Sequence, residues 1–67
     1  MRPAGDEPRD VYFEFTVIGT VVKCVAIDGT TGTEVSVMGP VGAAQSDLEQ
    51  LAVAKLKARL KRDGGSS

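Results

Sequence analysis

The chain has no histidine and a single cysteine, Cys24. Without a second cysteine there is no disulfide, and without histidine there is no zinc pattern of mixed Cys and His ligands. Cys24 also lacks the base that a cysteine nucleophile usually needs. It falls in the middle of an apolar face, where a thiol behaves as a small core hydrophobe. Long apolar runs are missing as well. Nothing approaches the roughly 18 residues that cross a bilayer, and the polar opening Met1-Arg2-Pro3-Ala4-Gly5-Asp6-Glu7-Pro8 does not read as a signal peptide. Charge of one sign is also lacking. A net charge of −1 with 25% charged residues describes neither a disordered polyelectrolyte nor a broadly basic nucleic-acid binder. A lone cysteine without an export signal fits a reducing, cytoplasmic setting.

What the chain does contain is a hairpin legible from its alternation. In Val11 to Ile18 the odd positions are Val11, Phe13, Phe15 and Val17. In Val21 to Asp28 the even positions include Val22, Cys24 and Ala26. A two-residue turn at Gly19-Thr20 pairs Val17 with Val22, Phe15 with Cys24 and Phe13 with Ala26, so both apolar sets land on one face. The segment Asp28-Gly29-Thr30-Thr31-Gly32-Thr33 is a second turn, because glycine accepts positive φ and aspartate bonds its local backbone. Pairing Asp28 with Thr33 sets Ala26 against Val35 and Cys24 against Val37, extending the same face onto a third strand, Glu34 to Met38.

Gly39-Pro40-Val41-Gly42 ends the sheet, and a helix is expected from Ser46. Ser46-x-x-Glu49 has the form of a capping box, and Asp47 adds negative charge at the positive end of the helix dipole. Lys55, Lys57, Arg59, Lys61 and Arg62 load the other end with positive charge. Leu48, Ala52, Leu56 and Leu60 form one i, i+4 row, with Val53 beside it, and that row is expected on the face that carries Phe13, Phe15, Val17, Val22, Cys24, Val35 and Val37. The expected fold is α+β: a three-stranded antiparallel meander packed by one C-terminal helix, βββα. Residues 1–10 read as a disordered arm, 11–62 as the domain and 63–67 as a flexible tail.

Chemistry-bearing motifs are weak. Gly39-x-x-Gly42 before a helix lacks the Gly-Lys-Ser/Thr ending of a phosphate loop, and Asp47 and Glu49 would repel an anion. Asp28, Thr30, Thr31, Thr33 and Glu34 lack the alternating ligand positions of a calcium loop. Glu14, Glu34 and Asp28 do not frame a cleft, and so thin a domain has little room for a pocket of about 300 Å³. No catalytic, cofactor or metal site is expected. The basic run from Lys55 to Arg62 holds five of the eight Lys and Arg residues. Such a run can meet phosphate without reading bases, with Lys57, Lys61 and Arg62 as the contacts, although it has no interleaved aromatics for stacking.

The stronger signal is surplus apolar surface. The second sheet face holds Tyr12, Glu14, Thr16, Ile18, Val21, Lys23, Val25 and Ile27, and five of these eight are apolar or aromatic, where a solvated face should be mostly polar. The helix carries a second apolar strip, Leu51, Ala54 and Ala58. Domains as small as this 67-residue chain, without staples, often gain stability by self-association. Tyr12, Ile18, Val21, Val25, Ile27 and Leu51 are therefore the expected interface of a homo-oligomer, a dimer in the simplest case, or the seat of another protein partner.

Phe13-Glu14-Phe15, Ala26-Ile27-Asp28, the run Thr31-Gly32-Thr33-Glu34-Val35-Ser36 and Gly39-Pro40 before the helix resemble a small alphaproteobacterial protein family of unknown function. The resemblance spans Tyr12 to Leu60. Its motifs are turn glycines, core strands and a helix approach, so it implies a conservatively built small protein and brings no activity with it.

Overall fold

A computed structural model describes residues 10–63, so of the arm read at 1–10 and the tail at 63–67 only Asp10, which accepts from Gly29 N, and Asp63, the last residue of the helix, lie within the described residues. Three strands and a helix follow in order: β1 Val11–Ile18, β2 Val21–Asp28, β3 Glu34–Pro40 and α1 Gln45–Asp63. The sheet is an antiparallel meander in the order β1-β2-β3, and the fold is βββα.

Both expected registers are present. Val17 faces Val22, Phe15 faces Cys24 and Phe13 faces Ala26; Cys24 faces Val37 and Ala26 faces Val35. Gly19 sits at φ +64°, the positive value that the tight two-residue hairpin turns require at their first central position. In the second turn Asp28 does the work expected of it. Its Oδ2 accepts bonds from the Thr31 amide at 3.0 Å and the Thr31 hydroxyl at 2.7 Å. Its carbonyl accepts from Gly32 N at 2.7 Å, and its own amide donates to Thr33 O at 2.8 Å. Asp28 is fully buried while doing so.

The core is one cluster: Val22, Cys24, Ala26 and Val35 from the sheet, Leu48, Ala52 and Leu56 from the helix. Burial of each large aliphatic side chain contributes about 1.5–3 kcal/mol, which must offset the ordering of a very short chain. Leu60 packs on the periphery of this cluster, as do Phe13, Phe15 and Val37.

Three expectations need correction. β3 runs through Pro40 rather than stopping at Met38, because Val22 still pairs with Gly39 and Val21 with Pro40. The helix begins at Gln45, and Ala44 O accepts from Asp47 N at 3.1 Å and Leu48 N at 3.3 Å. Ser46 therefore stands inside the first turn and cannot serve as the N-cap of a capping box. The connection to the sheet sets the start instead. Val41 N bonds Thr20 O at 2.9 Å, Ala43 N bonds Pro40 O at 2.9 Å, and Leu48 settles so closely on Gly39 that a methyl there would lie 2.8 Å from Leu48 Cδ2.

The third correction concerns Val17. It lies on the inner face as its register demands, yet it is 62% exposed. The helix packs over β2 and β3, not over β1. A helix is about 10 Å across and strands are about 4.8 Å apart, so one helix roofs roughly two strands. Val11, Phe13 and Phe15 are consequently only half-buried.

Candidate interaction surfaces

The two registers place the outer face in four rows: Tyr12-Ile27-Glu34, Glu14-Val25-Ser36, Thr16-Lys23-Met38 and Ile18-Val21-Pro40. Among the described residues no element covers this face, since the only helix lies on the other side. Tyr12, Ile18 and Met38 are each more than half exposed. Val21, Val25 and Ile27 are half-buried, each on the central strand between two neighbours. Five of the six expected interface residues thus share one continuous surface. Leu51 does not. It is 58% exposed on the helix, beside Asp47 and Gln50, on the opposite layer of the domain. Met38 is absent from the expected interface because alternation on the first two strands alone defines the outer face there. Its pairing with Lys23 puts it on the outer face.

A second surface was not legible at all. Between the helix and β1 runs an open groove of about 460 Å³, walled by Phe13 on one side and by Glu49, Val53, Ala54 and Lys57 on the other. It is larger than the thin domain was expected to allow, for the reason that exposes Val17: the helix roofs β2 and β3 and leaves β1 open to one side. Lys57 lines this groove, while Lys61 and Arg62 are exposed in the last helical turn. The three expected phosphate contacts are therefore all accessible, with Lys57 and Lys61 four residues apart on one stripe.

Lys55 is exposed on the helix, and its Nζ donates to Ser36 O of β3 at 2.7 Å. Cys24 is fully buried under the helix. Burial pushes its thiol above the ordinary value of 9.0, and the nearby Glu49 carboxylate pushes it further the same way. A thiol held neutral in this manner is a poor nucleophile.

No curated protein and no solved structure matches the chain. A family model does match, over residues 8–63, and covers every strand and the whole helix. The chain belongs to the family described as a domain of unknown function, DUF6898.

Proposed function

We propose that the chain is a non-enzymatic protein-interaction module that self-associates through the outer face of its sheet. The observation that carries this reading is the single-layered sheet, whose outer side, covered by no element among the described residues, presents Tyr12, Ile18 and Met38 more than half exposed. Those residues surround the half-buried Val21, Val25 and Ile27. Apolar surface of this extent favours a partner, with Glu14 and Lys23 of the same face pairing or sitting at the rim, and two such sheets pack face to face about 10 Å apart. A lone buried thiol suits a reducing cytoplasm as the setting.

Light scattering behind size exclusion tests the proposal. Wild type should elute with the mass of two or more copies. Val25→Asp should lower that mass, and Met38→Lys, exposed on the outer face of β3, should do the same with less risk to the fold. A single-copy mass for wild type at all concentrations, or an unchanged mass in a folded Met38→Lys variant, overturns it.

A further inference from the structure

β1 and β3 are the two edge strands, and they differ in what their free edges offer. Gly29 N bonds Asp10 O at 2.8 Å, directly across the β1–β2 ladder, so the even positions of β1 exchange bonds with β2. The odd positions, Val11, Phe13, Phe15 and Val17, therefore aim their N–H and C=O groups outward. Among the described residues nothing bonds to them. On β3, Asp28 N to Thr33 O sets the opposite parity, and the outward groups belong to Glu34, Ser36, Met38 and Pro40. That edge is already blunted. Lys55 occupies Ser36 O, and Pro40 has no N–H to give. The β1 edge has eight residues, no proline and no lysine.

We infer that the β1 edge is a homodimerisation site, occupied by β1 of a second copy running antiparallel about a two-fold axis. Such pairing keeps inner residues inside only in registers that pair odd with odd. Placing the axis at Glu14 sets two glutamates directly opposite, a destabilising pair. Placing it at Phe15 pairs Phe13 with Val17 of the second copy, Tyr12 with its Ile18 and Glu14 with its Thr16. This register brings the exposed Val17 against Phe13, the wall of the open groove, twice by symmetry. It also aligns charge. Thr16 pairs with Lys23 on β2, so Glu14 of the second copy shares a row with Lys23, two strand spacings or about 10 Å away and within reach of two long side chains of opposite sign. The result is one six-stranded sheet with both helices on one side.

This contact is separate from the outer-face association and has its own readout. Sheet-to-sheet packing uses side chains and leaves the edge amides alone, whereas edge pairing bonds them. Amide exchange of the full chain, followed residue by residue across a dilution series, should show Val11, Phe13, Phe15 and Val17 slowed by more than about tenfold at high concentration and released on dilution. Val17→Pro removes one outward N–H at a position an edge strand tolerates. It should abolish the concentration-dependent protection while β2 amides stay protected. If Val17→Pro does not fold, Val17→Lys should give the same loss by placing charge beside Phe13 of the second copy. Fast exchange of the odd amides at every concentration overturns the inference. So does protection that ignores dilution, since that assigns the edge to a segment of the same chain. Met38→Lys, which tests the outer face on β3 and leaves β1 unchanged, reports its result in mass at high concentration and not in this amide pattern.

Discussion

β2 and β3 lie beneath the helix, and β1 lies beside it. All three strands carry the same alternation, yet inner residues of the roofed pair such as Cys24, Ala26 and Val35 are buried, while Val17 on β1 is 62% exposed. The same division runs through the edges: β3 is closed by Lys55 and Pro40, and β1 is bare among the described residues. An apolar pattern thus says which face of a strand belongs inside. How much of that face is covered depends on how wide the roof is.

The largest effect should come from breaking the roofed half. Leu56 is 1% exposed in the core cluster, and Leu56→Ala should cost about 2–5 kcal/mol, enough to unfold so small a domain in a urea titration. Val17→Ala, on the open half, should stay within about 0.5 kcal/mol in dilute, single-copy protein. Equal costs at the two sites would erase the distinction between the halves. Gly39→Ala tests the seat of the helix. A methyl 2.8 Å from a buried leucine must push it aside, and thermal melting should report a loss of about 1–3 kcal/mol.

Smaller effects sharpen the contrast. The unfolded chain loses the Cys24 proton near the ordinary 9.0, whereas the folded chain holds it to higher pH. Rising pH therefore favours unfolding. The stabilisation present below that value should be lost as pH climbs past it, with a slope of at most about 1.4 kcal/mol per pH unit. Chemical denaturation from pH 7 to 10.5 should show this decline, and Cys24→Ala should remove its thiol component. Thr31→Ala strips the hydroxyl that donates to Asp28 and should cost about 1 kcal/mol by the same titration. Lys55→Ala should change stability least, within about 0.5 kcal/mol, because its bond is solvent-exposed.

The strand registers were legible because period-two patterning and turn length agree. Any one-residue slip at Gly19-Thr20 or at the Asp28 turn would have turned valines and phenylalanines to the wrong face. The row Leu48, Ala52, Leu56 was legible for the analogous helical reason. The start of the helix was not. Ser46 and Glu49 carry a strong local signal, but the bond from Val41 to Thr20 and the fit of Leu48 on Gly39 are tertiary, and they place Ala44 at the cap. The outer-face residues could be named from alternation alone, whereas the groove beside Phe13 and the exposure of Val17 depend on which two strands the helix chooses. Leu51 belongs to the helical strip, and the layering of the domain sets that strip on the other side from the outer sheet face.

Cys24 is the only thiol in the chain, and it lies wholly beneath the helix. A disulfide reagent can reach it only when the helix lifts from the sheet or the domain unfolds. The wild-type chain thus carries a built-in clock. The rate at which a chromogenic disulfide consumes its one thiol measures how often the two layers part, with no label to add and no residue to change.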